Sequence, residues 1–524
     1  MNQNSALYKS IRFVFTSSSH RPILFAFLAG LLIPFGFAPF HFPGIAILGM
    51  VLLYAQLNKQ LSKRIFLPGF AFGVGFFGFG VSWVYVSIHQ YGHLNPILSA
   101  LITLLFIVYL ALYTGLFTAA YIKLKAKTIS PLLSCFLFAA LWCLSEYLRS
   151  TMLGGFPWLL LGFGQIDTPL QHLLPIIGIY GVSFLTCLAA AFLVTGFQVN
   201  SKKNRWIAAF VGVLIIPSAL KHYQWTTVNN TPVSVGIIQA NLSMRDKWDE
   251  ALFWQLLEHY KKAIDQLVGK KELIVMPESS IPLPANYVND FLEALDLQAK
   301  QAKTSILLGI PQAINTEEET HYSNSVLALG ASEGHYFKQH LVPFGEFIPQ
   351  PFERLTQWLS LPSSNLKPGK NKQPLIHVSN HPIATLICYE LAYPQLLRKQ
   401  LPEAEWIVSV SDDGWFGHSL AMYQQLQISQ ALSLQTGRYQ VVANNDGLSS
   451  LINAQGEISA SLPAFNDGIL ETNVYSASGL TPWVYWGDLP VLLIIVLIVM
   501  RAAFIKMSWA TRNNIPDEDT PLIA

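Results

Sequence analysis

PVSVGIIQA, residues 232–240, is where the chain changes character. Its β-branched residues and following turn signals read as a strand. Reading backward from it, the first 220 positions are apolar runs with basic punctuation. Reading forward, short strands alternate with amphipathic segments as far as residue 478. Two regimes in one chain predict two kinds of solvent.

The composition agrees. Of 524 residues, 52% are hydrophobic and 12% charged, against roughly 25% charged in a soluble protein. That excludes a disordered or ordinary cytosolic chain. The formal net charge of +2 hides a segregation: residues 225–478 hold 25 Asp/Glu and 16 Lys/Arg, and the remainder holds 6 and 17. An acidic aqueous part argues against nucleic acid, because phosphate binding needs clustered Lys and Arg.

A membrane span takes about 20 mostly apolar residues. Seven runs qualify before the strand, at about 22–40, 43–57, 65–88, 97–122, 131–148, 173–198 and 206–220. An eighth, 483–500, contains VLLIIVLIVM. Alternate gaps carry the basic residues: Lys9, Arg12 and Arg21; Lys59, Lys63 and Arg64; Lys123, Lys125 and Lys127; Lys202, Lys203 and Arg205; Arg501, Lys506 and Arg512. Only Arg149 and Lys221 lie near the opposite ends. The positive-inside rule then puts both termini in the cytoplasm and the acidic segment outside. The expected organisation is a membrane domain over 1–224, an α/β domain over 225–478, and a last span with a cytoplasmic tail over 479–524. Glycines 69, 73, 75, 78 and 80 predict close helix packing. The apolar, aromatic loop 149–172 is expected in the outer interface, with Trp158 guiding a lipid. Glu146 is the main ionisable residue within a run. Such residues often mark transport pathways, and their near absence weighs against a transporter.

Within the acidic part, strands are expected at 232–240, 272–277, 305–310, 325–329, 383–388, 405–411 and 438–444. Helices are expected at 249–268 and 419–436, and a loop at 363–374. Glu278 follows the strand ELIVMP, Cys388 closes IATLIC, and Lys338 sits in HYFKQHLVPFGEFIP. Strand ends are where an α/β scaffold gathers its sites. A thiol attacks as thiolate, a carboxylate can take its proton, and an ammonium can hold an oxyanion. The three suffice for acyl transfer without metal or cofactor. A lone Cys ending an apolar strand is also an ordinary core residue, so residue types alone leave both readings open.

The strings around them carry more. MPESSIPLP, YFKQHLVPFGEFIP and ATLICYELAYP resemble the Glu-Lys-Cys motifs of the carbon-nitrogen hydrolase (nitrilase) superfamily. Together with the spans, FGFAPFHFPG, GVSWVYVSIHQYG, LALYTGLF and GFPWLLLGFGQID look like apolipoprotein N-acyltransferases of bacterial inner membranes. The resemblance implies about eight spans plus a periplasmic αββα sandwich. It implies acyl transfer from a phospholipid, preferentially phosphatidylethanolamine, to the amine of a diacylglyceryl-cysteine on an apolipoprotein. By the same resemblance Cys388 is the nucleophile, Glu278 the base, and Lys338 with the Tyr389 N–H the oxyanion holder. Glu346 and Glu390 are supporting acids, and Trp248 lies near the acyl site. Where the family usually has SNDAWFG and RALExGR, this chain has Asp412, Leu432 and Gln435. Those departures leave open a paralogue with altered donor or acceptor. A membrane-tethered amidase is the alternative reaction.

Overall fold

The computed structural model describes residues 21–59, 66–92, 94–125, 129–199, 202–315, 320–349, 354 and 366–513. Lys9, Arg12, Lys63, Arg64, Lys127 and residues 363–365 lie outside this set, as do the side chains of Lys59 and Arg512.

Eight apolar helical segments occur among the described residues. Numbering the longer helices, these are α1 (Arg21–Leu32), α2 (Ile45–Lys59), α3 (Leu67–Gly80), α4 (Pro96–Leu124), α5 (Pro131–Thr151), α6 (Leu174–Gln198), α7 (Lys203–Ile215) and, at the far end, α11 (Leu489–Asn513). Five are long and apolar enough to cross a membrane, counting α7 with the turn that continues it to Leu220. A sixth passes if α3 is joined to Val84–Tyr91, which bends away by 62°. The third run is therefore a broken helix rather than a straight one. Pro96 and Pro131 open α4 and α5, where their missing N–H is no loss, and Asn95 and Ser130 cap the next turn. A Cβ on Gly30 would stand 1.9 Å from Phe72 O, and one on Gly73 2.1 Å from Thr114 Oγ1. The bare glycines thus let α3 meet α1 backbone to backbone and α4 backbone to side chain. Gly78 meets nothing within 4 Å, so packing does not explain it.

The second half is a sandwich of two sheets. One has the order β13-β1-β2-β3-β4-β6 and the other β12-β11-β10-β9-β8-β7-β5. The strands are β1 (Thr227–Gln239), β2 (Leu273–Val275), β3 (Ser305–Asn315), β4 (Thr320–Gly330), β5 (Ser332–Glu333), β6 (His335–Phe337), β7 (Ile376–Val378), β8 (His381–Ile387), β9 (Trp406–Ser411), β10 (Gln440–Asn444), β11 (Ser450–Ile452), β12 (Ile458–Ser461) and β13 (Gly468–Ser478). Val235, Leu273 and Leu307 from the first sheet share a buried core with Ile383, Val408 and Val441 from the second. Helices α8 (Phe253–Leu267) and α9 (Asn289–Gln301) cover the outer face of the first sheet. Helix α8 buries Phe253, Leu256, Leu257, Tyr260, Ile264 and Leu267, the 3.6-residue stripe the sequence shows.

Helix α10 (Ala421–Thr436) covers the second sheet and is buried on nearly every side. Its Ile428, Ala431 and Leu432 belong to one apolar core with Ala384 and Ile407 below and the membrane helices above. The layers are α-β-β-α, and the membrane helices pack on the α10 side.

Loop 149–172 departs from the expected lipid-facing placement. Trp158 is 2% exposed, and its Nε1 donates to Gln424 Oε1 on α10 at 2.7 Å. Leu159, Leu160, Leu161 and Phe163 are buried as well. Most of loop 149–172 is the joint between the halves, not a lipid-facing surface. An apolar loop without periodicity does not say whether protein or lipid covers it; here protein does, and Gln424 accepts from the indole N–H.

Candidate functional site

Glu278, Lys338 and Cys388 stand at the ends of three strand segments in two facing sheets. Met276 continues the β2 ladder with its N–H on Leu307 O at 2.9 Å, and Glu278 follows two residues later. A Cβ at Gly309 would lie 2.7 Å from Glu278 Cα, so the bare glycine gives that backbone its place. Lys338 follows β6, its N–H donating to Asn324 O on β4 at 2.9 Å. Cys388 follows β8 with φ +52°. A non-glycine residue in that region stores about 1 to 3 kcal/mol of strain and is held there by its surroundings.

The three are buried, with exposures of 6%, 1% and 7%. Lys338 Nζ donates to Glu278 Oε1 at 3.2 Å and to Glu346 Oε1 at 2.8 Å. Asn324 Nδ2 bridges the same two acids, at 2.7 Å and 3.2 Å. Glu346 Oε2 is in turn held by the Val342 N–H at 2.8 Å. Glu278 Oε2, by contrast, has no hydrogen-bond partner among the described residues.

The electrostatics follow from this burial. Desolvation alone would lower the Lys338 pKa, but Glu278 and Glu346 more than offset it and hold the ammonium charged. Burial pushes the Cys388 thiol well up, Glu278 adds to that, and Lys338 opposes it. The resting sulfur is a neutral thiol, and it needs a base.

Glu390 ties the pieces together. Its carboxyl accepts from Ile387 N–H at 2.8 Å, Gln339 N–H at 2.7 Å, His340 N–H at 3.1 Å and Tyr336 OH at 3.1 Å. One buried acid thus fastens the turn after Lys338 to the turn that carries Cys388. Burial raises it to about 7, and these N–H groups pull the other way. Trp248 is 49% exposed and follows the short helix Met244–Lys247.

The membrane half reaches the same turn. Tyr389 OH donates to Gly155 O at 3.0 Å, Tyr393 OH to Gly154 O at 3.0 Å, and His340 Nε2 to Gly154 O at 3.2 Å. Gly155 has φ +76°, and a Cβ there would lie 2.1 Å from Ser150 O. Arg149 Nη1 holds the next stretch by donating to Phe156 O and Trp158 O, both at 2.7 Å. Glu146 Oε1 accepts from Leu161 N–H at 2.9 Å. Glu146, the exceptional acid within a span, thus fixes a loop. Met152 and Leu153 beside it, and Phe344 in the loop after Lys338, are exposed apolar side chains.

The structure therefore groups Glu278, Lys338, Glu346 and Cys388, with Tyr389 and Glu390 directly behind the thiol. Asn324 belongs to the group and was missed. A lone Asn between serines in the run HYSNSVLAL was its only signal. Among the departures, Asp412 pairs with buried Lys247, Leu432 packs in the apolar core, and Gln435 is buried with neither amide atom partnered among the described residues.

The family described as apolipoprotein N-acyltransferase N-terminal domain matches residues 29–192, and the one described as carbon-nitrogen hydrolase matches 234–479. An apolipoprotein N-acyltransferase from Coxiella burnetii is 36% identical over 480 residues, covering 91% of this chain and 98% of the relative. One from Haemophilus influenzae is 32% identical over 528 residues, covering 97% and 99%. Among solved structures, a carbon-nitrogen hydrolase from Helicobacter pylori G27 matches at a TM-score of 0.35 with 14% identity, over 54% of this chain and 95% of that one.

Proposed function

The chain belongs to the apolipoprotein N-acyltransferase family, and we propose that its Glu278, Lys338 and Cys388 carry that reaction through a thioester. It is a membrane enzyme that acylates lipoproteins, with a phospholipid as acyl donor. Phosphatidylethanolamine is the proposed donor.

In the first half-reaction Glu278 Oε2 takes the Cys388 proton, and sulfur attacks the ester carbonyl carbon. The oxyanion that forms is held by the Lys338 ammonium and the Tyr389 N–H. Collapse breaks the carbon–oxygen bond to glycerol. Glu278 returns the proton to that oxygen, releasing a lysophospholipid. In the second half the α-amine of the diacylglyceryl-cysteine attacks the thioester carbon, Glu278 takes the amine proton, and sulfur leaves to be reprotonated. The carrying observation is the division of labour on Glu278: Oε1 is tied to Lys338 and Asn324, while Oε2 has no partner among the described residues. A carboxylate so arranged is fixed in place and still open to a proton. Glu346 holds Lys338, Glu390 holds the nucleophile turn, and Trp248 meets the acyl chain.

The setting supports a lipid donor. Pulling an acyl chain into water costs about 0.8 kcal/mol per CH₂, so the thiol has to work at the bilayer surface. Met152, Leu153, Phe344 and Trp248 give apolar surface there. The basic residues of the gaps favour an inner-membrane protein with eight spans, both termini cytoplasmic and residues 225–478 periplasmic.

The test is intact-protein mass spectrometry after incubation with phospholipid. One acyl chain is expected on the parent and none on Cys388→Ala. No adduct, together with ammonia released from small amides without lipid, points instead to an amidase.

A further inference from the structure

Lys247 is a second fully buried lysine in this domain, and the chemistry above gives it no task. Its side chain is 0% exposed and Asp412 2%. The ammonium donates to Glu278 O at 2.9 Å and pairs with the Asp412 carboxylate. Asp412 Oδ1 is occupied separately, by Gly414 N–H and Asn445 Nδ2, both at 3.2 Å. Asn445 also exchanges two hydrogen bonds with the backbone of Leu242, at 3.1 Å and 2.8 Å. The segment leading to Lys247 is thus fastened at both ends.

The position of that carbonyl matters. Glu278 lies beyond the end of β2, where no ladder orients its peptide, and Ser279 has φ +48°. Rotating the 278–279 peptide would relieve the left-handed Ser279 and free the backbone on which the Glu278 side chain stands. Lys247 grips the one atom that such a rotation moves most. The neighbouring residue, Trp248, is half exposed. One ammonium therefore joins the backbone of Glu278, the segment bearing Trp248 and the loop of Asp412. Burying an ion pair is a poor route to stability alone, and its better-attested use is to fix one arrangement.

We propose that Lys247, held by Asp412, is a positioning residue that locks the Glu278 peptide and keys the Trp248 segment to it. The proposal rests on reading Glu278 as the base. An Asn at position 412 could accept from the ammonium but could not neutralise it, so the lock that Asp412 makes is a charged one.

The full-length protein in detergent micelles tests this with two readouts. One is the single-turnover rate of Cys388 acylation by a fluorescent phospholipid at saturating donor. The other is the rate of Cys388 alkylation by iodoacetamide, which needs the base but no lipid. Lys247→Met is expected to lower the first by about 100-fold, the scale on which a misplacement of 1 Å acts, and to slow alkylation as Glu278→Gln does. A merely structural role would loosen the site and speed alkylation. Asp412→Asn, which keeps a neutral acceptor, is expected to show a smaller loss of the same kind. Rates within twofold of the parent, or faster alkylation, overturn the proposal; if Lys247→Met does not fold, Asp412→Asn decides by the same criterion. A parent that alkylates normally but takes no acyl group from phospholipid overturns the proposed function instead, and the alkylation comparison still decides the role of Lys247.

Discussion

Glu146 and Arg149 in the membrane half, and Glu278 and Lys338 in the carbon-nitrogen hydrolase half, are buried charged side chains that face different things. Arg149 turns its guanidinium to two backbone carbonyls, and Glu146 turns one oxygen to a backbone N–H. Glu278, Lys338 and Glu346 turn their charges on each other around a thiol. In the first case charge is spent on backbone groups that would otherwise be buried without partners. In the second it is balanced between side chains of opposite charge that converge on one thiol. Glu146 Oε2 and Glu278 Oε2 both lack a partner among the described residues, so neither buried charge nor an open oxygen marks a site by itself; the convergence of acid and ammonium on Cys388 sets the second group apart.

The comparison can be broken at three points. Lys338→Met removes the cation from two facing acids. It is expected to cut Cys388 acylation by about 10²- to 10³-fold, and to lower stability by about 3 to 5 kcal/mol, the usual result of removing one partner of a buried pair. Single-turnover rates and thermal midpoints in detergent measure the two effects.

Arg149→Met should behave in the opposite proportion. Two carbonyls lose their donor, costing about 2 to 4 kcal/mol, while acylation per folded molecule falls by no more than about tenfold, the effect of 1.4 kcal/mol on a barrier. A loss as deep as that of Lys338→Met with an unchanged midpoint would place Arg149 in the chemistry and end the distinction. Tyr393→Phe is the mildest. It removes the hydroxyl that donates to Gly154 O, worth about 1 kcal/mol, and sharpens the comparison by asking how much of the nucleophile's placement comes from the membrane half. A measurable drop in acylation with little change in midpoint is expected, and no change in either would show that the contacts through Tyr389 and His340 carry the coupling without it.

Much of this was legible in the sequence for physical reasons. Strand ends put Glu278 and Cys388 where loops open, and α8 shows its stripe because one face is buried and the other wet. What stayed hidden was what depends on a partner distant in sequence. Strand β13 reads poorly because Glu471 and its exposed neighbours dilute the apolar alternation, and only pairing with β1 makes it a strand. Helix α9 was not anticipated because it buries only Leu292, Leu295 and Ala299. In SMRDKWDE, Lys247 looks like a solvated charge, and nothing nearby announces Asp412, 165 positions on. Trp158 reads as lipid-facing in the sequence because its acceptor, Gln424, lies in the other half of the chain.

Gln424 also bears on how the halves can part. Its amide accepts from Trp158 and Trp83 and donates to Gly80 O at 3.1 Å, so α10 is pinned at three points of the membrane half. Opening this joint means breaking all three hydrogen bonds together, and each buried polar group left without a partner costs about 1 to 3 kcal/mol. A single amide thus works as a rivet: it resists separation in three directions at once.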